Sequence, residues 1–339
     1  MGMTTPGVSL EILDLRHFTA ALLRPLLEAE GDAWQQRLHW DYRTSARLLM
    51  QYLDSRMLPG YAAVDAGRVT GYAFCVYEET KAVIGDVFAV SPHDLNDAAD
   101  PGHDRVQSPL EIETTLLRHL FETLQNSPHV DRIESQLLLP PSGAHARVFR
   151  EAGFQVYRRL FMVQRLVGLP IPQHLNLPPD LEIRAWRDDD LNSASRLICE
   201  AYADHPDSII NDQYRSTHGS LRFLHNIVRY SGCGVFAPQV SHIVLEKSSR
   251  QIVALVLGSR VSATSGHITQ LCVRDSDRRR GLGRMLLGVA AAGFVRQGMS
   301  EVSLTVTEAN ARAIELYRSE GYEARHTFDA AVWRRDSGF

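Results

Sequence analysis

The sequence predicts an α/β protein of the α+β type, made of two copies of one unit. Each copy is expected to be a mixed, largely antiparallel twisted sheet flanked by helices. Three observations carry this. At 339 residues the chain exceeds one ordinary core, for which roughly 150 residues is typical. The stretch LVGLPIPQHLNLPPDLEI (166–183) contains Pro170, Pro172, Pro178 and Pro179, a spacing that neither a helix nor a central strand tolerates. Finally, the two halves end alike, AHARVFREAGFQVYRRLF against ARAIELYRSEGYEARHTF. This implies an internal repeat of about 165 residues. The expected division is a first domain over 1–166, a Pro-rich linker over 167–180 and a second domain over 181–339.

In the second half, LEIRAW (181–186) reads as a strand and DDDLNSASRLICEAYAD as a helix opened by acidic residues. A polar, aromatic-rich stretch follows, from His205 to Tyr230. SHIVLEK (241–247), IVALVLGSRV (252–261) and HITQLCV (267–273) are β-like runs joined by short turns, as in an antiparallel meander. MLLGVAAAGFVRQ (285–297) is a strongly apolar helix and VSLTVT (302–307) a buried strand. ARAIELYRSE (311–320) is a second helix closed by Gly321, and YEARHTFDAAVW returns as β structure.

The first half repeats that order. LEILDL precedes helical patterns through 19–55, and YAAVD, VTGYAFCVY and AVIGDVFAV follow. In LEIETTLLRHLFETLQ (110–125) the apolar residues Ile112, Leu116, Leu117, Leu120, Phe121 and Leu124 keep a helical period. IESQLLL is the matching strand.

Composition narrows the function classes. Hydrophobic residues at 44% with 22% charged describe a globular chain, and no run approaches the roughly 18 uncharged apolar residues of a membrane span. MGMTTPGVSLEILDL lacks the basic and apolar regions of a signal peptide, so a cytoplasmic location is expected. A net charge of −4 gives no bulk attraction to nucleic acid. Cys75, Cys199, Cys233 and Cys272 form no CxxC pair, which argues against zinc and a disulfide framework.

The informative stretch is LCVRDSDRRRGLGRMLLGVA (271–290): a strand, a basic loop, Gly-Leu-Gly, then a helix. Glycines let successive backbone N–H groups converge, and the helix adds the positive end of its dipole, so an anion such as pyrophosphate suits the loop. Arg278, Arg279, Arg280 and Arg284 supply further charge. A Walker loop needs GxxxxGK[ST], which is not present. A dinucleotide fingerprint needs a third Gly where Leu286 stands.

Arg278-Arg279-Arg280-Gly281-Leu282-Gly283 resembles the (Q/R)xxGx(G/A) coenzyme A loop of the GNAT superfamily of N-acyltransferases, with the apolar strand end Val273 five residues before the Arg. NARAIELYRSEGY (310–322) resembles that family's later block, in which an Asn opens a helix and a Tyr precedes a Gly-aromatic pair by four residues. Element order from Leu181 to Trp333 also matches.

The resemblance implies an acyl-CoA-dependent N-acyltransferase, with coenzyme A lying where two central strands splay. Leu271, Cys272 and Val273 would meet the pantetheine and acyl carbonyl, and Arg279 to Arg284 the pyrophosphate. Tyr317 occupies the family's position for the acid that protonates the departing thiolate. Asn310 would cap its helix and could touch the pantetheine. His267, six residues before Val273, is the candidate base, with Thr269 nominally on the same face. Residues 204–230 would form the acceptor site for a primary amine, on a small molecule or a protein. The alternatives are a non-catalytic acyl-CoA sensor and an aminoacyl or longer-chain transferase.

The first half lacks the loop. After AVIGDVFAV it reads SPHDLNDAADPGHDRVQSPLEIE, acidic, with Pro101 and only Gly102, and Phe149 stands where the second half has Tyr317. It is expected to be a degenerate copy, in an arrangement resembling tandem GNAT proteins. The chain would then work as a pseudo-dimeric monomer or a homodimer, with no metal.

Overall fold

The computed structural model describes residues 10–91, 107–168 and 177–335. The loop containing Pro101 and Gly102, and Pro170 and Pro172 of the expected linker, lie outside these residues.

In chain order the elements are β1 (Glu11–Asp14), α1 (Ala20–Leu38), α2 (Arg43–Asp54), β2 (Gly60–Asp65), β3 (Arg68–Glu78), β4 (Lys81–Ala89), α3 (Pro109–Asn126), β5 (Arg132–Leu137), α4 (Ala146–Glu151) and β6 (Gln155–Arg165). They continue as β7 (Leu181–Ala185), α5 (Leu191–Ala201), α6 (Asp207–Ile210), α7 (Thr217–Arg229), β8 (Val235–Phe236), β9 (His242–Glu246), β10 (Ile252–Arg260) and β11 (Ser265–Val273). α8 (Leu282–Arg296), β12 (Glu301–Thr307), α9 (Ala311–Ser319) and β13 (Glu323–Arg334) complete the chain.

Two compact units result, and each takes its last strand from the other half of the sequence. The first contains residues 1–36, 42–156 and 328–339; the second contains 37–41 and 157–327. A cut within 167–180 would therefore assign β6 and the end of β13 differently from the packing.

The first unit runs β1-β2-β3-β4-β5 and adds β13 beside β5, from Asp329↔Leu137 to Arg334↔Arg132. Only β4 and β5 are parallel, and they pair from Lys81↔Arg132 to Ile84↔Ser135. Ser108 opens α3 through a capping box with Glu111, and the expected apolar face (Ile112, Leu116, Leu117, Leu120, Phe121, Leu124) is buried against this sheet. Phe149 is buried with Phe121 and Phe154, at centroid distances of 4.9 and 5.2 Å.

The second unit runs β7-β9-β10-β11-β12 and adds β6 beside β12. β9, β10 and β11 form the expected antiparallel meander. β11 and β12 are parallel and pair from Ser265↔Glu301 to Ile268↔Leu304. Phe294 of α8 sinks into a hollow left by Gly258 and Gly266. A Cβ on Gly266 would lie 2.4 Å from its ring, so only glycine admits the helix this closely. That contact, with Leu286, Leu287 and Ala290 in the same core, fixes α8 against the sheet.

Equivalent turns in the two units repeat in detail. Phe154 N–H donates to Phe149 O at 3.0 Å, and Tyr322 N–H donates to Tyr317 O at 3.0 Å. Phe149 thus holds the place of Tyr317.

Candidate functional site

The second unit opens where its parallel strands part. Beyond Ile268↔Leu304, β11 continues to Val273 and β12 to Thr307 without pairing. A bulge marks the place: the β10–β11 register shifts between Leu257 and Gly258, leaving Thr269 as the extra residue, its Oγ1 donating to Leu257 O at 3.1 Å. Bulges re-aim side chains. Ile268 before the bulge and Leu271 and Val273 after it face the α8 core, whereas Cys272 packs with α5. The expected shared face of His267 and Thr269 is therefore broken by the bulge. Burial pushes the Cys272 thiol up to about 12, which removes it as a nucleophile.

Past Val273 the chain makes a 3-10 turn, Asp275–Asp277, and reaches the glycine loop. Arg279 (φ 66°) and Gly281 (φ 79°) are both left-handed, and Gly281 is the N-cap of α8 with no side chain covering it. The N–H groups of Arg280, Gly281, Leu282, Gly283 and Arg284 donate to no backbone acceptor among the described residues, while Met285 N–H closes the first helical turn on Gly281 O. Nothing lies within 4 Å of where a Gly281 side chain would begin. This is an open nest of donors at a helix N-terminus, the geometry that suits a phosphate group.

The arginines do less than their number suggests. Arg280 is held by both oxygens of Asp180 (2.6 and 2.7 Å) and by Asp277 (2.6 Å). Arg284 pairs with Glu320 at 2.6 Å, and Arg278 with Asp275 at 2.6 Å. Arg279 makes no ion pair among the described residues. The additional positive charge expected of all four is largely matched by carboxylates, so the backbone donors and Arg279 carry the anion-binding capacity.

His267 sits elsewhere than expected of a base. It is 7% exposed, between Trp40 (5.1 Å) and Phe161 (6.1 Å, rings 13° apart). Its Nδ1 lies 2.9 Å from Ser303 Oγ, which itself donates to Gly266 O, so Nδ1 carries the proton. Burial, with Arg159 nearby, lowers its pKa to about 3. An imidazole that weakly basic cannot draw a proton from an ammonium, and the base role assigned to it fails on this ground.

A different cluster gathers at the open end of β12. Thr307 Oγ1 donates to Asp207 Oδ1, at the start of α6. Asp207 N–H donates to His205 Nδ1 at 3.1 Å, and Asn310 Nδ2 lies 2.9 Å from His205 Nε2. Asn310 also caps α9, its Oδ1 accepting from Ala313 N–H at 3.2 Å, as expected. Tyr214 stacks on Tyr202 at 4.4 Å and its hydroxyl donates weakly, at 3.5 Å, to Gln270 Oε1. Gln270 Nε2 is buried without a hydrogen-bond partner among the described residues.

Tyr317, half-buried on α9, packs against Tyr322 at 5.9 Å. Desolvation and the Asp207 carboxylate push its phenol upward. Sequence reasoning had singled out Tyr317 and Asn310, and had named His205 and Asp207 only within a polar segment. It missed Gln270 and Arg159; the one available signal was a polar residue interrupting each apolar strand.

Among the described residues, no group of three or more His, Cys, Asp or Glu side chains could hold a metal ion, and no helix is long and apolar enough to cross a membrane.

Comparison with known proteins agrees with this geometry. The Acetyltransferase (GNAT) family matches residues 201–322, which span the acceptor segment, glycine loop and Tyr317. A mycothiol acetyltransferase of Geodermatophilus obscurus is 27% identical over 332 residues, covering 97% of this chain and 94% of the relative. Among solved structures, a GCN5-related N-acetyltransferase from Sphaerobacter thermophilus covers 96% of this chain and 95% of its own, with 18% identity and a TM-score of 0.65. A tandem GNAT protein from the clavulanic acid biosynthesis pathway covers 98% and 100%, with 13% identity and a TM-score of 0.56. The chain thus carries an acetyltransferase domain of the GNAT family, in a fold shared with a tandem GNAT protein.

Proposed function

We propose that the protein transfers an acetyl or other short acyl group from acyl-CoA to a primary amine, using one site in its second unit. The observation that carries this is the parting of β11 and β12 beyond Ile268 and Leu304, directly beside the donor nest from Arg280 to Arg284. The nest suits the pyrophosphate of coenzyme A, and the unpaired edge of Leu271, Cys272 and Val273 suits its pantetheine amides. When bound, acyl-CoA supplies an activated thioester carbonyl.

The protein's own groups do the rest. Asp207, anchored by Thr307, presents a carboxylate that holds the acceptor ammonium and passes its proton to solvent, the work first assigned to His267. Gln270 Nε2 offers a buried donor that an acceptor oxygen would satisfy. Tyr317 Oη, held protonated by its surroundings, donates to the departing sulfur, a charge that develops mainly in the transition state.

The first unit is read as degenerate. Phe149 replaces the hydroxyl, and a buried network fills the position that Gln270 holds in the second unit. There Asp86 follows the bulged Gly85, and Glu30 accepts from Trp34 Nε1 (3.3 Å) and Tyr72 Oη.

Free thiol released from acetyl-CoA is measured across a panel of amines, including the unacetylated amine of mycothiol, since a relative bears that name. Amine-dependent thiol release is expected. Saturable acetyl-CoA binding with no release for any amine would replace the enzyme with a sensor. Turnover only with aminoacyl or long-chain donors would move the donor class.

A further inference from the structure

β6 precedes the Pro-rich segment in sequence, yet its residues from Tyr157 belong to the second unit, where they run antiparallel to β12. The register places Arg159 opposite Thr307, at the end of β12 that β11 has left. Leu160 and Met162 point into the α8 core, so Arg159 and Phe161 face the other way, and Phe161 stacks on His267. Arg159 is only 9% exposed. Burying a guanidinium is costly, and a strand that merely closed a sheet edge would carry an apolar residue there.

Its surroundings define what the charge can do. Thr307, its cross-strand neighbour, donates to Asp207. The two charges that act on the Tyr317 phenol are Asp207, which opposes loss of the proton, and Arg159, which favours it. Arg159 also acts on His205 and Tyr214 in the same cluster.

We propose that Arg159 is a positioning residue for acyl transfer, its guanidinium holding the tyrosinate charge left on Tyr317 when that proton goes to the departing sulfur. This rests on the acyl-transfer reading above. The neutral amine nitrogen forms a bond to the thioester carbonyl carbon, and the carbon–sulfur bond breaks with its electron pair on sulfur. Tyr317 Oη protonates the sulfur. The proton lost from the acylated nitrogen returns to the phenolate through solvent, so the phenol is regenerated. For the duration of that step Arg159 neutralises the phenolate, which would otherwise face Asp207 in a buried site. The second unit therefore depends for its chemistry on a strand encoded before the linker.

The test uses the full chain with Arg159→Gln and Arg159→Lys. Single-turnover thiol release and acetyl-CoA affinity are measured, and a fluorinated tyrosine at position 317 is titrated by ¹⁹F NMR. In the Gln variant, release should slow by at least roughly tenfold, with acetyl-CoA affinity little changed, and Lys should recover part of the rate. The fluorinated phenol should titrate at higher pH in the Gln variant than in the unsubstituted protein. If the Gln variant does not fold, Arg159→Met, similar in volume and uncharged, takes its place. A folded uncharged variant with an unmoved phenol titration or an unaltered release rate would overturn the proposal. Should the unsubstituted protein bind acetyl-CoA but acylate no amine, the acyl-transfer reading fails. The titration alone would still decide whether Arg159 governs Tyr317.

Discussion

Ile268 and Leu304 are the last residues that β11 and β12 share, and the molecule's candidate chemistry begins one step beyond them. On one side lies the donor nest at the start of α8, on the other the cluster around Asp207. The bulge at Thr269 turns Leu271 and Val273 toward one and Cys272 toward the other.

The nest gives the first prediction. A Cβ on Gly283 would meet Leu316 Cδ2 at 3.2 Å, a contact a flexible side chain can relieve, so Gly283→Glu should fold. Its carboxylate would stand among donors that suit a phosphate. Coenzyme A affinity, measured by calorimetry, should fall by at least about tenfold, or roughly 1.4 kcal/mol. Undiminished affinity in a folded variant would send the phosphates elsewhere.

Tyr317 gives the second. Tyr317→Phe keeps the ring beside Tyr322, as Phe149 does beside Phe154 in the first unit. Fold and coenzyme A affinity should hold, while kcat should drop by about 10²–10⁴ and the acceptor KM should move much less. Near-normal kcat with chemistry rate-limiting would exclude the acid role.

Asp207 and His267 should separate cleanly. Asp207→Asn should raise the acceptor KM and lower kcat, whereas His267→Gln should leave kcat within a few-fold. His267 has its pKa depressed from 6.5 to about 3, so the unfolded chain binds the extra proton and stability is lost as pH falls through that window. His267→Gln should therefore flatten acid unfolding between those values. A large kcat loss in a stable His267→Gln variant would restore it as the base.

The buried acids of the first unit give a pH prediction of opposite sign. Glu30 and Asp86 are coupled, and burial raises both, Asp86 strongly. Raised carboxylates favour the folded state at acid pH and lose that contribution as pH rises through the folded value. Asp86→Asn keeps an acceptor for the Val87 N–H and supplies a donor toward Glu30, in place of the shared proton. Thermal unfolding should then fall less between about pH 6 and about pH 9 than in the unsubstituted protein. An unchanged pH slope would mean that the pair does not hold a proton in the folded state.

Stoichiometry tests the reading of the first unit. One coenzyme A per chain is expected by calorimetric titration, and two comparable sites would remove the claim of degeneracy.

The sequence by itself determined the periodic and the local. Alternating and 3.6-residue patterns set the meander and the helices, because burial of one face is written into residue spacing. The loop from Arg278 to Gly283 was legible because its backbone conformation depends on glycine at fixed offsets. The turn holding Tyr317 was legible for the same reason. What no pattern could decide was pairing between distant segments. Only tertiary structure set β6 beside β12, which brought Arg159 to Thr307. Likewise, His267 looked like a cleft base until Trp40 and Phe161 enclosed it. A side chain's charge state follows from what surrounds it in space. Those surroundings are assembled from residues more than a hundred positions apart.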